Sequence, residues 1–200
     1  MSRGRGDVYK RQVLIPMEYI HWDKNHSANY DITVKKSNTT DNTLKKDDNG
    51  KYAEYVVDVS SEKGTPDVIT LNDVLEAGKM SVDTSKFTYT ITKNGQQVGG
   101  EYTANVTASS NNDNNNHKYN LTATLPKLNA GESCQIKYKY YYDTSLCDSG
   151  NESQASNKVT GESINKKSNE KVIDTSSSVI KYTRDDLDKT GAYDLSLIHI

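Results

Sequence analysis

The sequence predicts an all-β protein, an antiparallel sandwich of two sheets, and three observations lead there. Apolar residues alternate with polar ones along eight short segments, Asn, Asp and Gly residues divide those segments, and helical patterning is confined to a short turn near 74–80. Alternation of this kind suits antiparallel strands with one wet face. Composition alone would argue otherwise, since Leu, Ile, Val and Phe number only 37 in 200 residues and mean hydropathy is −0.85. A net charge of only −2, however, does not fit the highly charged profile of a disordered chain.

The strands are expected at 30–36 (YDITVKK), 52–60 (YAEYVVDVS), 67–75 (DVITLNDVL), 86–93 (KFTYTITK), 101–108 (EYTANVTA), 118–125 (KYNLTATL), 134–142 (CQIKYKYYY) and 155–161 (ASNKVTG). Between them lie Asp47-Asp48-Asn49-Gly50, Asn94-Gly95, Gly99-Gly100, the Asn-rich run 111–116, Asn129-Ala130-Gly131 and Asp148-Ser149-Gly150. These residues tolerate positive φ or bond their own backbone, which is what tight turns require. About eight strands at this spacing fit a sandwich. The segment 163–181 is polar and serine-rich, and reads as a linker. Beyond it, 182–194 reads as the start of a further, truncated module, because Asp186-Leu187-Asp188-Lys189-Thr190 can be laid over Thr33-Val34-Lys35-Lys36-Ser37. The opening MSRGRGDVYKRQ (1–12) and the closing LSLIHI (195–200) resemble translated sequencing-adapter sequence and are set outside fold reasoning, which leaves 13–29 as the end of a preceding segment.

Several function classes are disfavoured. A pI near 6.1 without a basic stripe offers no footprint for nucleic acid, and no run approaches the roughly 18 apolar residues of a membrane helix. His21, His26, His117 and His199 make no metal spacing, and Asp47-Asp48-Asn49-Gly50 lacks the outer ligands of an EF-hand loop, with Lys45 at its first position and Val56 at its twelfth. No cofactor or metal site is therefore expected. Cys147 with His117 is not marked as a nucleophile pair by anything but residue type, and Cys134 and Cys147 are too far apart along the expected strand to be bridged. Cys134 alternates with Ile136, Tyr138 and Tyr140, so a buried thiol is expected. The five N-x-S/T sequons, at Asn25, Asn38, Asn105, Asn120 and Asn151, are about as many as this composition gives at random. The tyrosine cluster Tyr138, Tyr140, Tyr141 and Tyr142 is open to two readings, a strand covering the core or an exposed aromatic platform for a protein or glycan.

Three sites taken together carry a family resemblance: Lys36-Ser37, echoed as Lys189-Thr190-Gly191; Ile69-Thr70-Leu71-Asn72-Asp73-Val74-Leu75; and Ala155-Ser156-Asn157-Lys158-Val159, with Leu125-Pro126 and Gly131-Glu132 in the connection between. In order and spacing they resemble the collagen-adhesin-like, isopeptide-forming immunoglobulin-fold module of Gram-positive bacterial surface proteins, over 30–162. The match is incomplete where Ser37-Asn38 stands in place of the family's Thr-Gly.

The resemblance implies an immunoglobulin-like sandwich in which Lys36 and Asn157 condense into an isopeptide bond with Asp73 as the acid, and in which Lys189 is the corresponding lysine of the next module. It further implies an extracellular, cell-wall-attached protein without enzymatic activity beyond that self-reaction. Such a module serves as a stalk or spacer whose partners are neighbouring modules. The alternatives are an adhesin domain contacting a host matrix protein or glycan, and an accessory domain of a secreted enzyme. Alternation is compatible with the cross-link, since Lys36 shares a face with Ile32 and Val34, Asp73 with Ile69 and Leu71, and Asn157 with Val159. Lys35 competes if the register slips by one. Glu54 and Asp58 are other acids, but they alternate out of phase with Tyr55, Val57 and Val59.

Overall fold

Residues 30–99, 104–109, 115–164, 169 and 171–185 are described in a computed structural model of the chain. Lys189, and the segments expected at 1–29 and 186–200, lie outside them. The eight expected segments all form strands: β1 (Thr33–Asn38), β3 (Gly50–Ser61), β4 (Ile69–Gly78), β6 (Thr88–Lys93), β8 (Ala104–Ala108), β9 (His117–Thr124), β10 (Glu132–Asp143) and β11 (Glu152–Ile164). Four more join them, the short β2 (Lys45–Asp47), β5 (Ser81–Val82) and β7 (Gln96–Val98), and the long β12 (Lys171–Thr183).

Two antiparallel sheets result. One has the order β1-β3-β10-β6-β7, with β2 added on β3 and β5 on β10; the other has the order β12-β11-β4-β9-β8. Alternate residues of each fill the space between them, among them Val57, Val59, Ile136 and Tyr140 from the first sheet and Ile69, Leu75, Leu121 and Val159 from the second. Turn chemistry sets the hairpins. Between β6 and β7, Asn94 and Gly95 adopt φ 50° and 79°, the two positive values that match the twist of the flanking strands. The Asp47–Gly50 segment closes β2 onto β3, with Asp47 Oδ1 accepting from the Asn49 amide at 2.9 Å.

Three expectations are corrected. The helical turn near 74–80 is the end of β4, because Leu75 and Ala77 continue the inward alternation until Gly78 at φ 57° ends the strand. Among the described residues, a turn of 3₁₀ helix lies instead at Thr84–Lys86, where the Asp83 side chain accepts from the Ser85 amide.

The expected linker at 163–181 is largely strand. β11 runs on to Ile164, and β12 pairs with it from Glu152↔Thr183 to Ile164↔Lys171. Its inward positions are Val172, Asp174, Ser176, Ser178, Ile180 and Tyr182. Polar side chains stand there because they face the open edge of β1 rather than apolar core. Asp174 Oδ2 accepts from the Val34 amide at 2.6 Å, Ser176 Oγ from the Lys36 amide at 2.9 Å, and Ser178 Oγ from Asn38 Nδ2 at 2.8 Å. Each pair is separated by the same 140 positions, so β1 and β12 advance together and the two sheets are closed by a side-chain ladder. An edge strand would otherwise expose these amides.

The boundary expected at 182 also moves. Arg184 is buried and its Nη1 donates to the carbonyls of Thr144, Ser145 and Cys147, which fastens the loop after β10 to the end of β12. Replacing Ser176 by Ala is expected to cost about 0.5–1.5 kcal/mol in urea unfolding, the net contribution of one part-buried hydrogen bond. A cost near zero would show that the ladder does not stabilise the seam.

Candidate functional site

Sheet alternation brings four polar side chains from opposite sheets into one dry place. On β1, Val34 and Lys36 point inward while Lys35 and Ser37 face solvent, so the register slip that would have exchanged the two lysines does not occur. On β10, Tyr138 points inward directly across from Tyr55 of β3. From the second sheet come Asp73 of β4 and Asn157 of β11. Their registers are Asp73↔Val159 and Leu75↔Asn157, so the two are diagonal neighbours on the inner face, close enough for their side chains to share partners.

All four are buried: Lys36 at 8% exposure, Asp73 at 1%, Tyr138 at 1% and Asn157 at 0%. The Lys36 amine donates to Asp73 Oδ2 and to the Tyr138 hydroxyl, and that hydroxyl donates to the same Asp73 oxygen. Asn157 Nδ2 donates to the Tyr138 hydroxyl at 3.3 Å. Two oxygens of the cluster, Asp73 Oδ1 and Asn157 Oδ1, have no donor. Aromatic rings wall the site. Tyr55 stacks on Tyr138 with centroids 5.6 Å apart, Phe87 lies 5.9 Å from the Tyr138 ring, and the Lys36 nitrogen sits 4.9 Å and 5.0 Å from the Tyr55 and Tyr138 centroids.

Burial decides the protonation states. Desolvation lowers the Lys36 pKa against the pull of Asp73, and raises the Asp73 pKa against the pull of Lys36 and the Tyr138 hydroxyl. Both shifts favour the neutral pair, a free amine beside a protonated carboxylic acid. The Tyr138 hydroxyl is pushed well above its ordinary value, again by burial, and stays protonated. The cluster thus holds a nucleophilic amine, a carboxamide and two proton donors in an apolar enclosure, the requirements for attack of an amine on an amide carbon.

The other sequence candidates fall elsewhere. Glu54 is on the outer face, paired with Lys137 at 2.9 Å, and Asp58 accepts from Gln135 at 2.7 Å on the same side. Cys134 and Cys147 are both buried free thiols, and burial pushes the Cys134 thiol up to about 11. Tyr138, Tyr140 and Tyr142 are 1%, 0% and 6% exposed and fill the core, while Tyr141, 8% exposed, is covered on the opposite face by Tyr52 and donates to Asp47 Oδ2 at 3.0 Å, so the cluster is not an exposed platform. The sequence indicated that Tyr138 points inward; that its hydroxyl reaches across to the second sheet had no signal in the strand pattern. Among the described residues, no group of three His, Cys, Asp or Glu is placed to hold a metal ion, and no helix is long and apolar enough to cross a membrane.

No protein-family model and no curated protein matches the chain. Among solved structures, it is similar to ACE19, the collagen-binding subdomain of the Enterococcus faecalis surface protein ACE, at 11% identity over 77% of this chain and 97% of that one, with TM-score 0.39. It is similar also to the collagen-binding domain from a Staphylococcus aureus adhesin, at 16% identity over 76% and 99%, with TM-score 0.31. A third similarity is to AvmM, which catalyzes macrocyclization in alchivemycin A biosynthesis, at 10% identity over 78% and 88%, with TM-score 0.38. Similarities this distant carry no argument about function; the sandwich rests on the strand pairing described above.

Proposed function

We propose that this chain is a stalk or spacer module of a bacterial cell-surface adhesin, braced by an isopeptide bond between Lys36 and Asn157. The observation that carries the reading is the burial of Lys36, Asp73 and Asn157 in one cluster between the two sheets. Burying a lysine and an aspartate is costly unless they are neutralised, and a condensed amide is neutral permanently. In the reaction, the Lys36 amine attacks Asn157 Cγ, the bond from Cγ to Nδ2 breaks, and one proton passes from Lys36 Nζ to the departing nitrogen, which leaves as ammonia. A proton on Asp73 gives the cluster the donor that the Asn157 carbonyl oxygen lacks, and a bonded carbonyl is the better electrophile.

The topology supports a mechanical role. β1 and β12 run parallel, with residue 30 at one end of the sandwich and residue 184 at the other. Tension between those ends loads β1 in shear along roughly 20 Å of strand and β12 along roughly 40 Å. It would pass from β1 to β11 through the covalent bond and from β11 to β12 through the long antiparallel ladder.

Intact-mass spectrometry tests the reading. The wild-type chain is expected to weigh one ammonia less than its sequence requires, with a branched Lys36–Asn157 peptide after digestion. Replacing Lys36, Asp73 or Asn157 by Ala is expected to restore the full mass. A full-mass wild type removes the bond from the proposal, and a deficit of one water would instead identify Asp73 as the acyl group.

A further inference from the structure

We infer that Tyr138 is the proton relay of this reaction, its hydroxyl taking the proton that leaves the Lys36 amine and passing its own to the departing Asn157 nitrogen. The inference rests on the proposed Lys36–Asn157 condensation and deepens it. When the amine attacks, the nucleophilic nitrogen becomes acidic and the amide nitrogen, no longer conjugated, becomes basic. Ammonia leaves only after that second nitrogen is protonated, so one proton must cross from Lys36 Nζ to Asn157 Nδ2. The Tyr138 hydroxyl touches both atoms: it accepts from Lys36 Nζ, and it accepts from Asn157 Nδ2 at 3.3 Å.

A neutral phenol has one donor and two acceptor sites, and the ground state uses all three, because the hydroxyl also donates to Asp73 Oδ2. In the tetrahedral adduct the Asn157 nitrogen turns from donor to acceptor, and the hydrogen bond reverses. The hydroxyl proton turns from Asp73 to Nδ2 while Nζ gives up its own, so Tyr138 is neutral before and after and atoms and charge balance. The titratable groups facing the hydroxyl are Lys36 from β1, Tyr55 from β3, Asp73 from β4 and Tyr140 on its own strand. The Tyr138 ring is fixed by Tyr55, Tyr140 and Phe87, so the oxygen is held in place before the reaction begins. Asp73 then has the separate task of polarising the carbonyl.

The test follows the loss of ammonia by intact mass after a pulse of cell-free synthesis, in the wild-type chain and in Tyr138→Phe, across a series of buffers. Phe keeps the ring and its stacking, so the sandwich is expected to form. The wild-type rate is expected to be flat near neutral pH, since the proton stays inside the cluster. Y138F is expected to react on the order of 100-fold more slowly, and more slowly still as pH rises, because the leaving nitrogen must then draw its proton from solvent. Should Y138F fail to fold, site-specific 3-fluorotyrosine at 138 keeps the hydroxyl and makes it more acidic, and is expected to speed the reaction. A Y138F rate equal to wild type, or a fluorinated chain with an unchanged rate, overturns the relay and leaves the cross-link standing. A wild-type chain that never loses ammonia overturns both.

Discussion

Replacing Lys36 by Met is expected to lower the thermal midpoint by about 10–15 °C, the largest effect of any single substitution considered, and to return the chain to its full sequence mass. The bond closes a loop of about 120 residues, and in a chain-entropy treatment borrowed from disulfides such closure removes about 4–5 kcal/mol of unfolded-state freedom. In a domain of this size each kcal/mol moves the midpoint by about 2–4 °C. Met is the informative substitution because an unbranched thioether is at home between the Tyr55 and Tyr138 rings, so the loss measured below about pH 4, where Asp73 is protonated folded and unfolded, reports the bond and not a cavity. A midpoint within about 3 °C of wild type, with both chains at full mass, would remove the bracing role.

The same variant has a defined pH dependence. Without the Lys36 side chain, only the Tyr138 hydroxyl opposes the desolvation that raises the Asp73 pKa above its ordinary 3.8. The folded state then keeps a proton that the unfolded chain releases. Stability is therefore complete below about pH 4 and falls as pH rises toward the folded-state pKa, by about 1.4 kcal/mol per unit. Urea unfolding of Lys36→Met between pH 4 and 8 is expected to show that decline. Adding Asp73→Asn, a neutral isostere of the protonated acid, is expected to abolish it. A flat profile in the single variant would show that Asp73 stays ionised in the folded protein.

Gly161→Ala is expected to cost about 1–3 kcal/mol by urea unfolding and to slow the loss of ammonia. In an ordinary strand position this exchange stabilises by roughly 0.5–1 kcal/mol, so even the sign is diagnostic. Gly161 lies on the inner face of β11 where β1 crosses closest. An added Cβ would sit 2.6 Å from Val34 Cγ2 and 3.3 Å from Leu71 Cδ2. Val34 is β-branched and has little freedom to rotate away, so β1 must shift, as overpacked cores do. Lys36 is two residues further along that strand on the same face, and it moves with Val34. Wild-type stability together with a wild-type rate would show that β1 has slack at this crossing.

Much of the site was legible in the sequence because strand parity is a period of two and leaves little freedom. Once Ile32 and Val34, Ile69 and Leu71, and Val159 are taken as inward, Lys36, Asp73 and Asn157 must be inward as well, and they are. The same parity placed Glu54 and Asp58 outside and Tyr138 inside. Parity is a property of one strand at a time, however. It does not say which strands face each other across the sandwich, so the reach of the Tyr138 hydroxyl to Asp73 and Asn157 could not be read from it.

β12 shows the other boundary of sequence reading. Its inward positions alternate as regularly as those of any strand, but three in succession are Asp174, Ser176 and Ser178, and a search for apolar alternation passes over them as a linker. Those residues are inward because they meet the unpaired amides of the β1 edge, and a partner of that kind exists only once the sheets have closed on each other. Eight of the strands, their faces and the burial of Lys36, Asp73 and Asn157 were legible in the sequence, because burial of alternate apolar side chains is a local constraint. Only the tertiary structure decided that the strands pair so as to gather those groups around one hydroxyl and that a polar segment seals the seam. Contacts between strands more than a hundred residues apart are fixed by the packing of whole sheets, and no single strand carries that information.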